Sequence, residues 1–276
     1  MKIKLIAILM GAFVLTGAFA GGGNQSNAGG QGPAPYTIEV GGSTSVTPLM
    51  ELFAAEYQRL NPHIKVNING TGSGDGITNA GVTYQIGMSS RELTPAEQGR
   101  GLREVTIAID GIAVIMNRNS PVNNLTIEQI RDIYTGAVTD WSQVSGGTKS
   151  GRIAVVSREE GSGTRGAFEE LVGFQGRLVA GANESTSTGA IKAGIAQNPD
   201  AIGYISLGSV DDTVKAISVG GVAATNANVV NGTYRIARPF IVLTGSNVNP
   251  ETTAFINWML SAEGQRIVST SWISVK

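Results

Sequence analysis

Cysteine is absent from the chain, histidine occurs once, and charged residues make up only 15%. Without cysteine there is no disulfide framework, no thiolate metal cluster and no cysteine nucleophile. The single histidine, His63, follows Asn61-Pro62 in an expected helix-to-strand loop. One such residue supports neither a histidine-rich metal site nor an evident Ser-His pair. A metal site built from carboxylates alone would need a dense Asp/Glu cluster, which the sequence does not display. Hydrolytic chemistry is therefore not expected, nor is a metal or cofactor. Twenty basic residues against 21 acidic ones give a net charge of −1. That balance provides no global field to attract nucleic acid or an anionic membrane. Any anion bound by this chain must be held by local hydrogen-bond donors.

Long apolar runs are also scarce, and the prominent one stands at the start. Lys2 and Lys4 precede the nearly unbroken apolar stretch Leu5 to Phe19, and Ala18-Phe19-Ala20 supplies a small-x-small cleavage pattern. About 15 apolar residues fall short of the roughly 20 needed to span a bilayer. Residues 1–20 are thus expected to be a signal peptide of an exported protein, with an uncleaved anchor as the alternative. Its removal takes away two lysines and no acid, moving the net charge from −1 to −3. Gly21 stands where a lipid-bearing cysteine would, so no lipid anchor is expected. The segment 21–35, rich in glycine, reads as a flexible linker with a coil reach of about 20 Å.

What remains is rich in apolar residues (41% overall) and in glycine, with 38, many beside Ser and Thr. A folded core and many tight turns follow from that composition. Tyr36 to Val40 alternates as a first strand and ends at Gly41-Gly42. Thr47 and Pro48 suit a helix start, with Thr47 as N-cap and Leu49, Leu52, Phe53, Tyr57 and Leu60 at helical spacing. Ile64 to Asn69 reads as a strand, Ile86-Gly87-Met88 as another, and Thr94 to Arg103 as a helix. Thr126 with Gln129 makes a capping box for a helix ending near Tyr134. Arg152 to Ser157, Ile202 to Ser206 and Val214 to Val219 read as strands, Ser162 to Val172 as a helix, and further helices start at Pro250 and Ala262. This alternation predicts an α/β fold with mixed, mostly parallel sheets covered by helices. Ile107 to Met116, interrupted by Asp110-Gly111, could leave one lobe and enter another, and Arg238 to Leu243 could return. One lobe is expected over 36–115 plus 238–276 and the other over 116–237, with no internal repeat.

Three segments share one design: a strand end, a turn of Gly, Ser and Thr, then a helix start. They are Gly42-Ser43-Thr44-Ser45, Gly72-Ser73-Gly74 and Gly161-Ser162-Gly163-Thr164. Helix starts carry unpaired N–H groups and a partial positive charge, which together favour anions. In open α/β sheets such turns lie outside the carboxyl ends of strands, where ligands bind. One turn alone usually means an N-cap. Three in one chain, with Arg158 ahead of the third, point to an anion, a phosphate or a carboxylate, gripped by hydroxyls and a guanidinium fork.

The order of these motifs resembles the periplasmic phosphate-binding proteins of bacterial phosphate ABC transporters. The resemblance rests on Gly-Ser-Thr-Ser-Val-Thr-Pro-Leu at 42–49, Gly-Thr-Gly-Ser-Gly at 70–74, and Ile-Gly-Met-Ser-Ser-Arg at 86–91. Leu-Thr-Ile-Glu-Gln-Ile at 125–130, Asp140-Trp141, and the block from Arg158 to Arg165 extend it. Ile202-Gly-Tyr-Ile205 and Arg238-Pro-Phe-Ile241 carry it over nearly everything after residue 36. It implies a type II periplasmic-binding-protein fold of two lobes joined by two hinge crossings. It also implies inorganic phosphate as ligand, a membrane permease of an ABC transporter as partner, and a monomeric protein in the periplasm or on the outer face of the cytoplasmic membrane. By the same resemblance Thr44, Ser45, Ser73, Arg158, Ser162, Gly163 and Thr164 match phosphate-binding positions, and Ser90 matches a position that some relatives fill with aspartate.

That last departure matters, because a carboxylate can accept a hydrogen bond from protonated phosphate and repels sulfate. Asp75 and Asp110 are alternative acceptors, though either serves equally as a turn or cap residue. Ser89 and Arg91 are further candidates, Arg91 either adding charge to the site or pairing with a nearby acid. Two rival readings keep part of the pattern. Gly161, Gly163 and Gly166 fit G-x-G-x-x-G, but Ser157 to Glu160 intervene after the strand, which weakens a nucleotide-binding reading. The same fold could instead carry sulfate, molybdate or arsenate. Trp141, Trp258 and Trp272 are expected to be packing residues.

Overall fold

The computed structural model describes residues 33–144 and 149–276. The signal peptide expected at 1–20 lies outside the described residues, as does most of the linker expected at 21–35. Among the described residues no helix is long and apolar enough to cross a membrane.

The described chain opens with β1 (Tyr36–Gly42), α1 (Thr47–Leu60), β2 (Ile64–Gly70), α2 (Ser73–Asn79), β3 (Ile86–Ser89), α3 (Pro95–Gln98) and β4 (Arg103–Asn117). It continues through β5 (Asn124–Leu125), α4 (Ile127–Thr135), β6 (Ala154–Arg158), α5 (Gly163–Val172), β7 (Asn183–Ser185) and α6 (Thr188–Gln197). β8 (Ala201–Ser206), β9 (Val214–Ala216), β10 (Ser218–Val219) and α7 (Asn226–Val230) follow. The last elements are β11 (Ala237–Thr244), α8 (Pro250–Met259) and α9 (Ala262–Val268).

The main sheet is mixed and runs β2-β1-β3-β11-β4-β8-β6-β7, with β9 also paired to β4. Parallel pairing joins β1 to β2 and β3, and β6 to β7 and β8. The middle strands β11 and β4 run antiparallel to their neighbours. β4 belongs to both halves: Arg103 to Gly111 pairs with β11, and Ile112 to Asn117 pairs with β8 and β9. The change of partner therefore falls between Gly111 and Ile112, inside the apolar segment that the sequence marked as a crossing. Its second half is buried without break from Ile112 to Met116, as expected of a strand covered on both faces.

Two main cores flank this exchange. Ile38, Val40, Phe53, Ile86, Phe240 and Phe255 belong to the first. Ile112, Tyr134, Phe168, Phe174 and Tyr204 belong to the second, where Phe168 stacks on Tyr204 with ring centroids 4.0 Å apart. Such an aromatic pair adds about 0.5–1.5 kcal/mol beyond its buried area, and it fixes the Tyr204 ring close to the end of β6. The fold is a two-lobe α/β architecture with β4 and β11 as the strands between the lobes.

Local chemistry explains where sequence and structure agree and differ. The Thr126 and Gln129 box is present, each side chain bonding the other's backbone N–H. Thr47, by contrast, lies inside α1, whose N-cap is Val46, and its hydroxyl donates to Ser43 O. Leu52 is 45% exposed and Leu60 47%. The buried stripe of α1 runs instead through Leu49, Met50, Phe53, Ala54 and Tyr57. Leu52 sits off that stripe by the helical period of 3.6. The helix expected over Thr94 to Arg103 is only the short α3, because the chain turns through Gly99 and through Gly101 at φ +69°. Trp141 and Trp272 are buried, and Trp258 packs with Phe53, Tyr57 and Phe255.

Candidate functional site

The parallel strands β1, β2 and β6 all present their carboxyl ends to one seam between the lobes. β1 delivers Ser43, Thr44 and Ser45 into the turn before α1. Gly42 makes that turn possible: its φ is +131°, and a Cβ there would lie 2.3 Å from Met88 O on the neighbouring strand. β2 delivers Ser73 at the start of α2, and β3 delivers Ser89 and Ser90. From the second lobe β6 delivers Arg158, and the turn beyond it leads to Ser162, Gly163 and Thr164 at the start of α5.

Hydroxyl groups from both lobes meet in this seam. Ser45 Oγ lies 2.8 Å from Thr164 Oγ1 and 3.2 Å from Thr188 Oγ1. Thr44 Oγ1 accepts from the Thr188 backbone N–H at 3.4 Å. Ser43 Oγ donates to Ser90 Oγ at 2.9 Å, and Ser73 Oγ is 3.3 Å from Ser90 Oγ. The backbone closes the seam too, since Gly74 N–H donates to Gly161 O at 2.9 Å. Gly163 is pressed against the first lobe, where an added Cβ would stand 2.3 Å from Ser73 Oγ and 2.9 Å from Ser90 Oγ. Glycine is required there by the approach of the opposite side chains. Ser43, Ser45, Ser73, Ser90, Ser162 and Thr164 are all buried.

Three helices of ten residues or more begin at this cluster. They are α1 behind Ser45, α5 at Thr164 and α6 at Thr188. Their free N–H groups and partial positive charges add to the hydroxyl donors. Ser162 caps α5 by accepting from Arg165 N–H, and Ser187 caps α6 by accepting from Ala190 N–H.

Arg158 is the buried cation at the end of β6, with 2% exposure. Its peptide group is held on both sides. The Arg158 N–H donates to Tyr204 Oη at 3.2 Å, and Arg165 Nη1 donates to Arg158 O at 3.0 Å. Burial pushes the Tyr204 hydroxyl up to about 12, so it stays protonated and bonds Ser157 Oγ at 2.8 Å. The guanidinium itself makes a two-pronged bond to Glu159, with Nε and Nη2 each 2.8 Å from a carboxylate oxygen.

The supplementary candidates take different places. Ser89 Oγ donates to Arg91 O and accepts from Arg91 N–H, closing its own turn. Arg91 forms a forked pair with Glu97 at 2.7 and 2.8 Å and holds that carboxyl down at about 2. Asp75 accepts from Thr71, Asn79 and Tyr84 within the first lobe. Asp110 accepts from Ser206 at 2.7 Å and from Arg238 at 3.1 Å. Burial raises the Asp110 carboxyl and lowers the Arg238 guanidinium from their ordinary values, while their mutual attraction opposes both changes. Arg238 also donates to Ser90 O at 3.1 Å, so the pair ties the strands between the lobes to the cluster.

Sequence reasoning gave no site role to Thr188 or Arg238, although Arg238 opens one of the motifs that carry the resemblance. Thr188 was detectable: the short β7 followed by Thr186-Ser187-Thr188-Gly189 repeats the strand, Ser/Thr/Gly turn and helix design of the other corners. Arg238 carried no such local signal, because its partner Asp110 is 128 residues away and opposite it in the β4–β11 register. His63 lies in the turn before β2, at the other end of that strand from the seam.

Comparison with known proteins places these features in context. A profile of the PBP superfamily domain matches residues 26–263. A Clostridium perfringens substrate-binding protein assigned to a phosphate ABC transporter, solved with phosphate bound, is 45% identical. That match covers 87% of this chain and all of the other, with a TM-score of 0.85. An ABC-type phosphate transport receptor from Vibrio cholerae is 38% identical over 86% of this chain and 99% of its own, with a TM-score of 0.70. The phosphate-binding protein PstS of Bacillus subtilis is 28% identical over 98% of this chain and 92% of its own length.

Proposed function

Because the chain belongs to the PBP superfamily, we propose that it is an exported receptor that captures inorganic phosphate between its lobes for an ABC transporter. It is a binding protein rather than an enzyme. The observation that carries this reading is the meeting of Ser45, Thr164 and Thr188, each at the start of a different helix, with the buried Arg158 at the end of β6, the strand that leads into the α5 turn.

The mechanism follows from those groups. In the open protein the two lobes present separate sets of donors: Thr44, Ser45, Ser73 and Ser90 on one, Arg158, Ser162, Gly163 and Thr164 on the other. A tetrahedral dianion offers enough lone pairs to engage both sets at once, so it contacts the closed form more than the open one and stabilises closure. Helix-start N–H groups supply charge complementarity without a full buried cation at each corner. Hydroxyls that now bond one another turn to the ion, and Arg158 exchanges Glu159 for it. Glu159 is 26% exposed, so its released carboxylate reaches water. The bending falls at the strands between the lobes, near Gly111 on β4 and Ala237 on β11. The closed receptor, a monomer in the periplasm or at the outer face of the cytoplasmic membrane, then docks on the permease.

Calorimetric titration of the full chain, freed of phosphate, is expected to give one ion bound per chain in the micromolar range or tighter. Phosphate should also raise the unfolding temperature in step with its concentration. The absence of both binding heat and stabilisation at millimolar phosphate would overturn the reading.

A further inference from the structure

We infer that the seam holds its anion without reading a proton on it, so that sulfate is a ligand of the same site as phosphate. The inference rests on the phosphate-receptor reading and concerns selectivity within it. A site that admits phosphate and refuses sulfate needs an acceptor, usually a carboxylate, aimed at the bound ion. Repulsion between that carboxylate and a fully deprotonated ion is what excludes sulfate.

The carboxylates around the seam are all engaged elsewhere or lie in solvent. Among the described residues only Asp110 and Glu169 are buried acids. Asp110 is filled by Arg238 and Ser206, and Glu169 by Arg165 and the Gly176 N–H. Asp75, next to Ser73 on α2, has three donors of its own. Glu159 is chelated by Arg158 through both oxygens and, once released on binding, is partly exposed and turns to water. Glu51 and Glu160 line clefts beside the seam but are exposed. What meets in the seam is a set of hydroxyls, Ser43, Ser45, Ser73, Ser90, Thr164 and Thr188. A hydroxyl donates to a bare oxygen or accepts from a protonated one by rotating. Two buried cations accompany them: Arg158 at the end of β6, and Arg238, which donates to Ser90 O. Such a lining serves a protonated and an unprotonated tetrahedral oxyanion about equally.

The test is calorimetry on the full chain in a chloride buffer, with phosphate and sulfate titrated separately and then in competition. Sulfate is expected to displace phosphate, with a Kd no more than about thirtyfold weaker. The variant Ser90→Asp should raise the preference for phosphate over sulfate by at least about tenfold. Phosphate binding with sulfate weaker than the thirtyfold limit overturns the inference and leaves the receptor reading intact. If Glu159→Gln then admits sulfate, Glu159 is the acceptor and the inference is equally overturned. Failure of phosphate itself to bind removes both. The wild-type titration decides the matter even if Ser90→Asp does not fold.

Discussion

Replacing Arg158 by alanine is expected to weaken phosphate binding by about 2–5 kcal/mol, as for truncation of one partner in a buried charged contact. That corresponds to roughly thirtyfold or more in Kd. Arg158 is buried at the mouth of β6, and its backbone is fixed by Tyr204 and Arg165. Its fork is already arranged for two parallel bonds, as its contact with Glu159 shows. Lysine should not restore affinity, because a point charge lacks the planar pair of donors. The fold should tolerate the change, since Glu159 is partly exposed and can be hydrated. Calorimetry paired with thermal unfolding of the phosphate-free variant separates the two effects. A loss under twofold in a stably folded Arg158→Ala variant would take Arg158 out of the site.

The second large effect is on stability. Asp110→Ala is expected to destabilise the protein by about 3–5 kcal/mol, because it leaves the Arg238 charge buried without its counterion. Asp110 and Arg238 are 1% and 4% exposed and lie opposite each other on β4 and β11. Removing both charges, as in Asp110→Leu with Arg238→Met, should recover much of that loss, since apolar replacement of a buried pair is often nearly neutral. Urea unfolding of wild type, both single variants and the double variant gives the coupling directly. If Asp110→Ala costs less than about 1 kcal/mol, the pair is not a structural tie between β4 and β11. The double variant should still bind phosphate more weakly than wild type, because Ser90 O loses its donor from Arg238.

Much of this was legible in the sequence for a physical reason: the design is local. A strand end, a glycine that permits close approach and a Ser/Thr helix cap occur within five or six residues. Gly42 to Ser45 and Gly161 to Thr164 therefore declared themselves before any folding was known. The same holds for the Thr126 capping box and for the buried run in β4. Effects that depend on distant residues were not readable. Nothing near Arg238 in the chain names Asp110, and the spacing of Leu52 and Leu60 does not say which side of α1 meets the sheet. The strand read over Val214 to Val219 is two short pieces, because β9 pairs with β4 and β10 with β5. Thr188 lies between these cases. Its motif is local, yet the strand before it spans three residues and carries too little apolar pattern to announce itself.

The central claim is that one oxyanion is held in the seam by donors from both lobes. A crystal structure of the chain grown with phosphate tests it most directly. One ion is expected within hydrogen-bond distance, about 3.2 Å or less, of Ser45, Ser73, the Arg158 guanidinium and Thr164. An ion found only in the cleft beside Arg91 and Glu160, with the Ser45 to Thr164 bond unchanged, would contradict it.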